Sequence, residues 1–145
     1  MGYLTDGLTF NTLRGANRAR LVEFRNAKGE LSHVDSDGSD WSLSDWTTAT
    51  AGELGEAANL IKKVNRGDLS LDEARADLAE ELADVMIYLD LLANRAGINL
   101  GRAVIDKFNK VSRRVGAKVW VDAEDWHRGE PPIPAAASEP PPPSS

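Results

Sequence analysis

Two acidic pairs of identical spacing carry the strongest chemical signal in the chain: Glu53 with Glu56, and Glu81 with Asp84. Residues three apart on an α-helix differ by roughly 60° of rotation and about one turn of rise, so both carboxylates of a pair reach one point. Two such helices packed antiparallel would bring four oxygen-bearing side chains to a shared site. Hard cations favour an oxygen shell of this kind, magnesium above all when a phosphate supplies the remaining ligands. A single acidic pair on a helix is ordinarily a solvated face. Here the neighbours are small or apolar: Ala51, Leu54, Ala57 and Ala58 around the first pair, Leu82, Ala83, Val85 and Met86 around the second. Gly52 and Gly55 each cost a helix roughly 1 kcal/mol relative to alanine, which a close approach of backbone or ligand would explain. Tyr88 continues the stripe one turn beyond Asp84.

Four carboxylates within a few ångströms raise one another's pKa, and divalent cations relieve the repulsion. A polyphosphate would need the same cations, together with basic side chains. Lys62, Lys63 and Arg66 follow the first pair, and Lys107, Arg113 and Arg114 lie further on. Each of these could equally be a solvated surface charge.

The elements that must position these groups read as helices. The first is expected over Phe10–Phe24, capped by Thr9, with Phe10, Leu13, Leu21 and Phe24 near one face. A polar loop or short hairpin follows from Asn26 to Asp40. The second helix starts at Ser42 or Ser44 and runs to Val64, with Leu54, Ala58 and Ile61 as its apolar stripe and Asn65 to Asp68 as its stop. Ser70 and Glu73 form a capping box that opens the third helix, which runs to Ala96 and stops at Gly97. Its core stripe is Leu78, Leu82, Val85, Leu89 and Leu92. The fourth spans Leu100–Val115, between Asn99 and Gly116. Residues 117–129 read as a short strand or an arm. From Glu130 the chain is low-complexity and reads as disordered, and all seven prolines fall there.

The remaining composition narrows the field. At 145 residues the chain holds one domain, in which roughly two-thirds of the unfolded surface is buried, so self-association is a common route to a larger core. A net charge of −6 opposes non-specific grip on nucleic acid. Without cysteine there are no disulfides or thiolate metal sites. No basic, apolar leader and no run near ~18 apolar residues is present, so neither secretion nor membrane insertion is expected and the cytoplasm is the expected compartment. A di-iron bundle needs Glu-x-x-His motifs, and His33 and His127 both lie outside the helices. The run Asp35-Ser36-Asp37-Gly38-Ser39-Asp40 has its glycine at the wrong place for an EF-hand and Trp46 at the twelfth position, so it reads as a solvated turn.

Three segments, GELGEAANLIKK (Gly52 to Lys63), EELADVMIYLDLLANRAGINL (Glu80 to Leu100) and DKFNKVSRRVG (Asp106 to Gly116), resemble the MazG-like all-α nucleoside triphosphate pyrophosphohydrolases. The likeness is greatest to short, single-domain members of the kind common in bacteriophage genomes, and it spans about Leu13 to Gly116. The family signature is EExxE followed by ExxD on the next helix. Glu81-Leu82-Ala83-Asp84 keeps the second half; in the first, Gly52 replaces the leading glutamate while Glu53 and Glu56 remain.

The resemblance implies an all-α, four-helix bundle-like domain over residues 1–116, an arm over 117–129 and a tail over 130–145. It implies hydrolysis of an NTP or dNTP to the monophosphate and pyrophosphate, with magnesium, or manganese in its place, held by Glu53, Glu56, Glu81 and Asp84. Lys107 and Asn109 would contact phosphate or sugar, with Lys63 a further phosphate contact and Tyr88 beside the nucleotide. Trp46 and Trp41 would either stack on the base or serve packing. Assembly as a homodimer or homotetramer is implied too. Two other readings stand beside this one: a non-catalytic helical oligomerisation or regulatory module, and a pyrophosphohydrolase of alarmone-type nucleotides.

Overall fold

Helix boundaries follow the capping residues. In the computed structural model, which describes residues 7–34, 39–123 and 126–131, α1 spans Phe10–Leu21, α2 Leu43–Arg66, α3 Leu71–Arg95 and α4 Leu100–Val115. The Thr9 side chain accepts from the Thr12 N–H at the start of α1. Ser42 and Ser70 each form a reciprocal capping box, with Asp45 and Glu73 respectively, and so satisfy two orphaned donors per helix. Gly67 ends α2 in the left-handed region (φ 80°), and its N–H and that of Asp68 return to the last-turn carbonyls.

α1 stops three residues before the expected Phe24. The chain instead turns back on itself, with Arg25 bridged to Leu31 in antiparallel fashion. The Asn26 side chain accepts from the N–H groups of Lys28 and Glu30 (2.9 and 3.0 Å), offering the backbone an alternative to another helical turn. A short hairpin therefore occupies this stretch. A second bridge joins Val34 to Asp40; Asp35 to Gly38, four of the six residues of the acidic run, lie outside the described residues.

Two compact units divide the chain, Met1–Leu100 and Gly101–Ser145, whereas the sequence places a boundary after Gly116. In the first unit, the short turn 67–70 folds α3 back along α2, and α1 packs on α3. Its buried apolar side chains are Trp46, Ala57, Ala74, Leu91 and Ala93. The expected α2 stripe is not buried: Leu54 and Ile61 are 56% and 46% exposed, and Ala58 is exposed as well; on α3, Leu82 is 49% exposed, whereas Leu78, Val85, Leu89 and Leu92 are half-buried. Helical periodicity identifies an apolar face but not what covers it, and nothing in the described chain covers that of α2.

The second unit holds most of α4 and a two-stranded antiparallel hairpin, β1 (Val119–Val121) and β2 (Trp126–Arg128), with Trp120 opposite His127. Trp120 is buried, donates from its indole to the Gly129 carbonyl (3.1 Å), and lies under the Arg113 guanidinium. Where a short strand or an arm is expected, Val119–Val121 and Trp126–Arg128 thus form a strand pair. The proline-rich segment from 132 lies outside the described residues. No described helix is long and apolar enough to cross a membrane.

Candidate active site

The antiparallel α2–α3 pair brings three of the four carboxylates together. Oxygens of Glu53 on α2 and of Glu81 and Asp84 on α3 all lie within 4.8 Å of one another. Glu53 and Glu81 are half-buried. The Glu53 carboxyl is held above the usual carboxylate range, first by burial, then by the charges of Asp84 and Glu81, by a hydrogen bond to Glu81, and by Glu56. Like-charged oxygens at such distances cannot all ionise cheaply, and a hard divalent cation is the chemical species that lets them do so. The donor set therefore fits magnesium or manganese.

Glu56 lies one turn beyond Glu53 and is exposed. It adds to the negative field at Glu53 while standing outside the triplet. A Cβ built on Gly52 or Gly55 would meet nothing within 4 Å, so no close approach within the described chain accounts for these glycines.

Tyr88, one turn after Asp84, links the carboxylates to a cluster of rings. Its phenol is pushed above the usual range by burial, then by Glu53 and Asp84, with Arg20 acting in the opposite direction. His33 lies at the centre of the cluster: it meets Phe24 (4.3 Å) and Trp41 (4.6 Å) edge-on, stacks on Trp46 (5.7 Å) and faces Tyr88 (6.4 Å). Burial holds the His33 imidazole below the usual histidine range, and its buried Nδ1 has no hydrogen-bond partner among the described residues. Trp46 is fully buried and donates to Asp40 Oδ1 (3.1 Å); Trp41 is half-buried, and its carbonyl accepts from Arg95 (2.9 Å). Trp46 therefore packs in the first unit's core, with Trp41 at its edge.

On the remaining expected residues the surroundings differ. Lys63 and Lys107 are exposed. Asn109 is buried, and its amide is engaged by the hairpin: it donates to the Val121 carbonyl (2.8 Å) and accepts from the Val121 N–H (3.0 Å). The Asn109 amide thus holds β1 in place.

Sequence reasoning passed over His33 and the anchor of α1. Asp90, 1% exposed, accepts from Arg14 Nε (2.9 Å) and from Asn17 Nδ2 (3.0 Å). Its signal was present as an acid within the apolar run MIYLDLLA, where a buried charge requires a partner. His33 sits in a polar loop without periodicity, and nothing local marks it.

Residues 42–117, more than half of the chain, match the MazG nucleotide pyrophosphohydrolase domain. The Gene 37 protein of Mycobacterium phage L5 is 38% identical over 74 residues, covering 50% of this chain and 65% of that protein. The dCTP pyrophosphatase 1 of Rattus norvegicus is 40% identical over 70 residues (46% of this chain, 41% of the relative). That of Homo sapiens is 40% identical over 73 residues (48% and 43%). The matched region thus spans less than two-thirds of each relative's length. The acidic helix pair lies inside the matched residues, and the chain belongs to the MazG nucleotide pyrophosphohydrolase domain family.

Proposed function

We propose that this chain is a magnesium-dependent pyrophosphohydrolase that cleaves a nucleoside triphosphate to the monophosphate and pyrophosphate. The observation that carries the reading is the convergence of Glu53, Glu81 and Asp84 from two helices into one oxygen-lined cluster. A bound divalent cation would offset the charge of the phosphates and acidify a water for attack at the α-phosphorus, a role manganese could also fill. The chain's own groups hold the cation and orient what approaches it. Glu56, one turn from the cluster, completes the ligand set in this reading, and Glu53, ionised once a cation offsets its neighbours, would be placed to orient the water or take a proton from it. Lys107 and Lys63 are exposed cations available to phosphate.

The ring cluster extends the reading to the substrate. Tyr88 is shared between the carboxylates and the rings, so a nucleotide whose phosphates engage the first would have its sugar and base near the second. Two relatives are named dCTP pyrophosphatase 1, and dCTP is the substrate proposed first. The unpartnered His33 Nδ1 suits an amino-bearing base such as cytosine, with half-buried Trp41 as the side chain that yields to admit it. The catalytic domain is proposed to span residues 1–116. The exposed apolar side chains Leu54, Ile61, Leu82 and Met86 are the surface that a homodimer or homotetramer would cover. A nucleotide substrate and a cysteine-free chain suit the cytoplasm. Neither the regulatory-module reading nor the alarmone reading has an observation in its favour.

The test is incubation of the purified chain with each of the eight common nucleoside triphosphates, with magnesium or with chelator, and identification of the phosphorus-containing products. Magnesium-dependent monophosphate and pyrophosphate, fastest from dCTP, are expected. Inorganic phosphate and diphosphate would mean a different hydrolase.

A further inference from the structure

We infer that Arg20, on α1, is a polyphosphate-binding side chain of this site, an assignment that rests on the nucleotide reading above. The register of α1 against α3 places it. Arg14 donates to Asp90 Oδ1 and to the Ile98 carbonyl (2.9 and 3.1 Å); one turn later Asn17 donates to Asp90 Oδ2 and to the Ile87 carbonyl (3.0 and 3.3 Å). Advancing along α1 therefore moves the contact to lower numbers on α3, and the two helices run antiparallel. Arg20 comes three residues after Asn17, and Asp84 three residues before Ile87. Both steps are a rise of about 4.5 Å, which brings Arg20 to the level of the carboxylate cluster.

The guanidinium is held there without being neutralised. It lies over the Phe24 ring, 5.4 Å from the centroid, and Phe24 in turn abuts His33, which faces Tyr88. The Tyr88 phenol feels Arg20 against Glu53 and Asp84, consistent with that placement. Among the described residues Arg20 has no carboxylate within ion-pair distance, and neither do Glu53, Glu81 and Asp84 have a basic partner. Arg14, one face nearer the core, is spent on Asp90. An acidic cluster that takes cations and an unspent guanidinium at the same level together fit a ligand with several anionic oxygens. The cations bind some of those oxygens, and the planar fork of the arginine binds others in bidentate fashion.

Two roles are separable by a ligand that has phosphates but no base. In the full chain with magnesium, calorimetric titration of inorganic tripolyphosphate is compared with KM and kcat for the best nucleotide. The variants are Arg20→Ala, Arg20→Lys and Phe24→Leu, with Arg18→Ala as an exposed control on the same helix. The expected result is about a tenfold loss of tripolyphosphate affinity in Arg20→Ala, equal to about 1.4 kcal/mol. KM should rise by a similar factor at unchanged kcat, Arg20→Lys should recover part of the loss, and Arg18→Ala should match the parent. Unchanged tripolyphosphate affinity in Arg20→Ala overturns the inference. If KM alone rises and Phe24→Leu does the same, Arg20 merely supports the ring cluster. Tripolyphosphate binding that depends on Arg20, in a chain that hydrolyses no nucleotide, would sink the pyrophosphohydrolase reading and leave Arg20 standing.

Discussion

Helix α3 carries acidic groups in two contrasting settings about two turns apart. Asp90 is sealed from water and fully matched: a guanidinium and an amide each take one of its oxygens. Glu81 and Asp84 face a third acid, Glu53, and have no basic partner among the described residues. The first arrangement joins α1 to α3 and serves the fold. The second opposes the fold in the free protein, since ionising its members together costs energy that a bound cation would return. The charge that anchors α1 is matched within the chain, and the cluster proposed to take a cation is left unmatched among the described residues.

The contrast predicts opposite outcomes for removing a charge. Asp84→Asn or Glu56→Gln should reduce turnover by about a thousandfold, ~4 kcal/mol of barrier, while circular dichroism shows the helices intact. Unchanged turnover in either variant would break the site assignment. Asp90→Ala should instead cost about 3 kcal/mol of stability in urea unfolding, because Arg14 and Asn17 lose their partner in a buried setting. A variant as stable as the parent would mean that the ion pair offers no net anchorage to α1.

The pH dependence sharpens the comparison. The fold raises the Glu53 pKa, so the folded state binds that proton more tightly than the unfolded one. In chelator, this group's contribution to stability is most favourable below its unfolded pKa and is lost as pH rises through the folded pKa. Thermal melts between pH 4 and pH 8 should show that fall, and Glu53→Gln should flatten it. Magnesium should raise the melting temperature most at the upper end of the range, where the cluster is ionised. Glu73 has the opposite sign: the Ser70 N–H and hydroxyl lower its pKa, so its stabilising effect holds above the unfolded value and is lost on acidification. The smallest effect expected is that of Ser70→Ala, about 1 kcal/mol in urea unfolding from loss of the α3 cap.

How much of this was legible depended on whether a feature is local. The caps at Thr9, Ser42 and Ser70 are fixed by residues within one turn, and the helices start where those residues stand. The i, i+3 spacing of Glu81 and Asp84 is likewise a property of one helix. Which acids converge across two helices is not, and Glu56 shares Glu53's spacing yet stands outside the triplet. The stripe of Leu54, Ala58 and Ile61 was visible as a face, but its covering depends on surfaces that periodicity does not contain. His33 owes its position to a hairpin, two bridges and four ring neighbours, one of them Tyr88 on α3, and none of these follows from a periodic pattern. Asp90 could have been suspected from its apolar neighbours, though not its partners 73 and 76 residues away.

The Asn109 clamp on Val121 bears on how the second unit holds together. A two-stranded hairpin of three-residue strands is too small to persist alone in water. By giving Val121 both the donor and the acceptor that a third strand would offer, the Asn109 side chain acts as a fragment of sheet edge grown from a helix. The hairpin is thereby tied to the integrity of α4: the Val121 amide proton should exchange with solvent only when the Asn109 turn of the helix opens, so that helix and hairpin melt as one cooperative piece.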